Sequence, residues 1–62
     1  MTVTEVKERV EAIRRAASDD EKAHGMEDQL HQDVLQHFAE LGHEVAAVAL
    51  ETVDMDFSRW CA

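Results

Sequence analysis

All four histidines of the chain, His24, His31, His37 and His43, fall within residues 18–43, a stretch dense with carboxylates. Histidine and carboxylate at helical spacing can ligate a metal, titrate near neutral pH or meet a charged partner. On a helix turning about 100° per residue, His24, Asp28 and His31 share one side. Glu27 and Asp33 stand four residues before His31 and His37. The spacing acid-x-x-His recurs at Glu21 and His24, Asp28 and His31, and Glu40 and His43. Di-iron bundles use that spacing, with inward-facing ligands from four helices. One helix supplies two or three ligands, whereas a closed zinc site needs four. His24, Asp28 and His31 are therefore the candidate metal set, with His43 or Cys61 required to complete it. The plainer reading is a hydrated acidic face that happens to carry histidines, and no cofactor is expected.

Glu27 is the exception within this stretch. It lies inside the arc of Ala23, Leu30 and Val34, on a face expected to be buried. A carboxylate there needs a partner, for which Arg14, Arg15 and His31 are the candidates, or its pKa rises. His37 borders the same stripe, where a lone histidine is usually a boundary residue. Catalysis has little to draw on. The chain has no tyrosine, no glycine-rich phosphate loop and no serine in a nucleophile elbow, and its one cysteine is Cys61. Three short helices enclose little volume for a substrate, so no enzymatic activity is expected.

The elements that must position these residues are helices. Thr2 and Glu5 form a capping box that opens a first helix over about 3–17, with Val3, Val6, Val10, Ile13 and Ala17 on one stripe. Glu11 and Arg15 on its outer side make a favourable i,i+4 pair. Ser18 and Glu21 form a second capping box for a helix over 19–41, with acids at its dipole-positive end. Its apolar stripe is Ala23, Met26, Leu30, Val34, Phe38 and Leu41, and Gly42 stands where a left-handed cap is expected. The third helix, over 43–53, contains Val45 to Leu50, which is apolar nearly all round and predicts burial on more than one side. The tail, 54–62, carries Met55, Phe57 and Trp60, expected to dock on a thin core or, alternatively, to engage a partner.

Length and charge narrow the classes. A chain of 62 residues is at most one domain, and near 60 residues such a domain buries only about 60% of its unfolded surface. A single cysteine excludes an internal disulfide staple and fits a reducing cytoplasm. No signal-like segment opens the chain, and no apolar run approaches the roughly 20 residues of a membrane span, so no membrane association is expected. The net charge is −8. Residues 1–17 hold four basic and three acidic side chains, whereas residues 18–62 hold two basic and eleven acidic ones. So acidic a surface repels phosphate backbones and argues against direct nucleic-acid binding.

The run Ser18 to Leu35, S-D-D-E-x-A-H-x-x-E-D-x-L-H-x-D-V-L, and the ending Asp56 to Ala62, D-F-S-R-W-C-A, resemble small acidic open reading frames of actinobacteria and actinobacteriophages. The resemblance implies a short, all-helical, intracellular protein, in some cases phage-encoded. It brings no catalytic or binding residue with it. If those two runs are the family's shared positions, Asp28, His31, Phe57, Arg59 and Trp60 are the first places to look for function.

The expected fold is all-α, a small three-helix bundle with a docked C-terminal tail, able to dimerise into a larger bundle. The expected function is protein–protein interaction. Glu27, Asp28, His31 and Asp33 would serve it from the second helix, and Phe57, Arg59 and Trp60 from the tail. A phage-encoded version would be directed at a host protein, with the acidic face imitating nucleic acid. The alternatives are a metal-responsive helical protein using His24, Asp28 and His31, and a structural subunit of a homo-oligomer.

Overall fold

A computed structural model of the chain describes residues 1–57. It contains three helices, α1 (Val3–Arg15), α2 (Asp20–Glu40) and α3 (Glu44–Ala49), and α3 continues into a 3₁₀ turn over Leu50–Asp54. Among the described residues there is no strand. The fold is all-α, as the periodicity predicts.

The start of α1 follows its sequence signal. Thr2 is extended, and its Oγ1 accepts the Glu5 backbone N–H at 3.1 Å. The helix ends at Arg15, two residues before the predicted boundary, where the Ala17 and Asp19 N–H groups bond to the Arg14 and Ala16 carbonyls three residues back and close the chain into a turn. On its outer side Glu11 bridges to Arg14 rather than Arg15, one position short of the predicted pair.

At α2 the cap moves by one residue. Asp19, not Ser18, is the extended N-cap, and its Oδ1 accepts the Lys22 N–H at 3.1 Å. Both residue types cap well. The turn over 16–18, closed by the Asp19 N–H on the Ala16 carbonyl at 2.9 Å, leaves Asp19 in the capping position. The C-terminus of α2 is a Schellman motif. The Gly42 N–H donates to the Ala39 carbonyl at 3.0 Å and the His43 N–H to the Phe38 carbonyl at 3.1 Å. Gly42 has φ of 91°, which any side chain would strain, so this glycine fixes the reversal into α3.

The third helix is shorter than predicted. The α-helical hydrogen bonds stop at Ala49, and Thr52 Oγ1 turns back to donate to the Ala49 carbonyl at 3.2 Å. That side-chain bond tightens the chain into 3₁₀ geometry.

α1 and α3 both pack against α2 and do not approach each other. The Cα envelope measures 36 × 32 × 11 Å. Stacked helix axes stand about 8–10 Å apart, and each Cα cylinder adds about 4.6 Å of width, so two layers would need roughly 13–15 Å. The helices therefore lie in one layer. The radius of gyration agrees, being 13.0 Å where a compact chain of this length gives about 10.6 Å.

Burial reflects that arrangement. Among the described residues only Leu30 and Ala46 are buried. The prediction that α3 is covered on more than one side is corrected here: Val45 is 87% and Val48 54% exposed. Among the described helices α2 alone packs across α3, and it covers one face. Of the tail residues expected to dock, Met55 and Phe57 keep 53% and 54% of their surface exposed. Arg59 and Trp60 lie outside the described residues.

Replacing Asp19 with Ala should cost about 1 kcal/mol of stability in urea or thermal melts, whereas Ser18→Ala should change it by a few tenths at most. A larger loss at Ser18 would return the cap to the position of the sequence pattern.

Candidate functional site

The chemistry-bearing residues are held by α2, and its two neighbours define its faces. Arg9 of α1 reaches Asp33, with Nη1 to Oδ2 at 2.8 Å, and Gln29 Nε2 donates to the other carboxylate oxygen at 2.8 Å. Met26 and Gln29 line the seam with Ile13 on that side. On the other side Leu35 and Ala39 face α3 and the 3₁₀ turn, across grooves that Leu50 lines. At about 100° per residue these two directions stand about 130° apart on α2, and a narrower and a wider open face remain between them.

One open face is polar. It carries Gln36 and Glu40, with Gln29 at its border with α1 and Gln32 at its border with α3, and the Gln36 amide donates to Glu40 at 3.2 Å. The other carries Ala23, Val34, Phe38 and Leu41 of the apolar stripe, whose remaining member Leu30 is buried. Phe38 remains 43% exposed and Leu41 63%.

The flanking helices extend this apolar face. Arg9 pairs with Asp33 and Ile13 lies beside Gln29, so α1 runs antiparallel to α2. Val3 and Val10 sit about 100° round α1 from its contact side, in the sense that brings them to the same surface as Phe38. Val3 is 71% exposed. On α3 the same construction places Val45 and Ala49 there. The layer thus has one apolar and one polar side.

Glu27 is corrected by this geometry. Its position inside the apolar arc predicts burial, yet the side chain is exposed, because that part of the arc faces outward from the layer. No ion pair to Arg14, Arg15 or His31 forms within the chain; Arg14 engages Glu11 instead. The other predicted residues separate. His24 Nε2 meets Asp28 Oδ2 at 3.2 Å, an i,i+4 pair. Asp28 and His31 line a shallow groove of about 380 Å³ against Leu50 and Val53. Asp33, foreseen as a partner contact, is occupied by Arg9 and Gln29 and holds α1 to α2. Phe57 is half-exposed, and Arg59 and Trp60 fall outside the described residues.

Among the described residues no three histidine, cysteine, aspartate or glutamate side chains converge to hold a metal ion. His37 and His43 are drawn away from the candidate set to flank Phe38, with edge-to-face ring centroids 5.5 and 5.3 Å from it. Among the described residues no helix is long and apolar enough to cross a membrane.

The exposed apolar face is what reading the sequence as a closed bundle misses. Its signal lies in the third helix: an apolar run on every side needs more neighbours than two other short helices provide.

No family model, curated protein or solved structure matches the chain. The resemblance of Ser18–Leu35 and of the C-terminal run therefore rests on those residues alone.

The Gln29 amide and the Arg9 guanidinium hold the Asp33 carboxyl below the usual aspartate range. A depressed native pKa stabilises the fold above the unfolded value of about 3.9, and that contribution disappears as pH falls through the lowered native value. Asp33→Asn should cost about 0.2–1 kcal/mol at pH 7, as befits a half-exposed pair. Urea melts at a series of pH values should show this gap narrowing below about pH 4. A gap that stays constant down to pH 2.5 would remove the carboxylate from the account.

Proposed function

We propose that this chain is a protein–protein interaction module whose binding surface is the apolar face of the helical layer. One observation carries the reading. The chain exposes 5052 Å² of surface, whereas a compact folded monomer of 7.0 kDa exposes about 4,000 Å². The excess of roughly 1,000 Å² is about what one partner of a standard interface covers. The side chains that line the face are of the kind interfaces bury at their centres, with Phe38 flanked by two histidine rings as the natural anchor.

The acidic residues take a second part. Glu27 and His31 lie within or beside the apolar face, and Asp28 lines the groove next to it, where they orient and select a partner rather than supply most of the affinity. The single cysteine suits a reducing compartment, and we place the protein's work in the cytoplasm, the host's if the chain is phage-encoded.

A photo-crosslinking side chain introduced singly at positions 38, 41 and 45 tests the surface in the native cell. Position 36 on the polar face serves as the control. Crosslinks should form at the first three positions and be at least several-fold weaker at 36. Equal yields at all four positions, or products at 36 alone, would overturn the reading.

A further inference from the structure

The apolar face carries its own charge pattern, and that pattern identifies what covers it. We infer that the occupant is a second copy of this chain, related by a two-fold axis parallel to the helices, so that α1 of each copy lies across α2 of the other. This deepens the proposed function and rests on its apolar surface.

The register of the hairpin supplies the argument. Arg9 stands level with Asp33, and in an antiparallel pair this places Arg14 level with Asp28, beside Glu27. A two-fold axis along the helices leaves every residue at its own level. When α1 of the second copy lies over α2, its Arg14 therefore arrives at Glu27, the one carboxylate within the apolar stripe. The same operation lays its Val10 near Val34 and its Val3 near Phe38. The symmetry requires both pairs twice, as an isologous interface does.

The charges agree with this placement. Glu27 is exposed, and Arg14 is held only by an exposed intrahelical partner, Glu11. More broadly, residues 1–17 carry more basic than acidic side chains while residues 18–57 are strongly acidic, so laying α1 on a second α2 brings opposite charges together. The area agrees as well. The α1 and α2 part of a 36 × 32 Å layer, about two thirds of it, offers roughly 750 Å² on one side, close to the approximately 800 Å² per partner of a stable interface. The product is an antiparallel four-helix core of two α1 and two α2 helices, with the two α3 helices on its flanks.

Sedimentation equilibrium of the full chain tests this. The expected species has twice the 7.0 kDa of the chain. Glu27→Arg and Arg14→Glu should each raise the dimer dissociation constant by at least about tenfold, and combining them should restore it to within about threefold of the parent. Both sites are exposed in the single chain, and circular dichroism checks that helix content is kept. Phe38→Asp should abolish the dimer whatever the charges. A 7.0 kDa species persisting to about 1 mM overturns the second copy. Crosslinks to a different protein at positions 38, 41 and 45 would then leave the proposed function standing, and their absence would remove both. A dimer indifferent to Phe38→Asp, or a double variant no better than its single parents, overturns this arrangement of the copies.

Discussion

A helix flanked by two others that do not meet keeps two faces open, and most of what is distinctive in this chain follows from that placement of α2. α1 and α3 touch α2 and not each other, so neither the seam with α1 nor the seam with α3 is closed by a third helix. Leu30 is buried in such a seam, while Phe38 and Leu41, farther along the same stripe, stay exposed. The polar clamp of Arg9, Asp33 and Gln29 fixes the register of α1 on α2. With so little apolar burial, that clamp has a larger share in orienting the two helices than a half-exposed ion pair has in an ordinary core.

The division of α2 into a glutamine-rich side and an aliphatic side follows from the same placement. Gln29 and Gln36 satisfy carboxylates one turn along their own helix, an arrangement suited to contact with water. The opposite side has no such pairs and consists of side chains that gain by leaving water. A layer with unlike faces is half of a two-layer architecture, the smallest unit in which helices bury a stripe on both sides. The histidines distribute accordingly. Two of them brace Phe38, one pairs with Asp28, and one borders a groove, so the cluster that is conspicuous in one dimension is dispersed in three.

Much of the local structure was legible in the residues. The Thr2 cap, the Gly42 reversal and the phase of the α2 stripe are governed by interactions within about four residues, which a sequence displays directly. The Ser18 cap failed by one position because Asp19 competes for it and the turn geometry decides between them. The errors over Glu27 and Val45 have another origin. Both came from equating an apolar arc with a buried one, and periodicity states which side chains share a face but not whether anything covers it. Asp33 shows the converse: nothing in its local sequence marks it as the anchor for a helix 24 residues earlier, since that depends on the α1–α2 register. For the candidate site, the types of residue were visible while their grouping was not.

The separation of α1 from α3 also shapes the route by which the chain reaches its structure. Each of its two hairpins joins neighbours in sequence across a short turn, so closing one requires only a small loop and does not wait for the other. Low contact order of this kind favours folding in microseconds to milliseconds, with the α2–α3 reversal at Gly42 and the α1–α2 turn free to form in either order. Among the described residues no contact joins α1 to α3. In the proposed assembly the concentration-dependent event is the encounter that covers the apolar face, and the rate of that step is governed by the protein's abundance rather than by its topology.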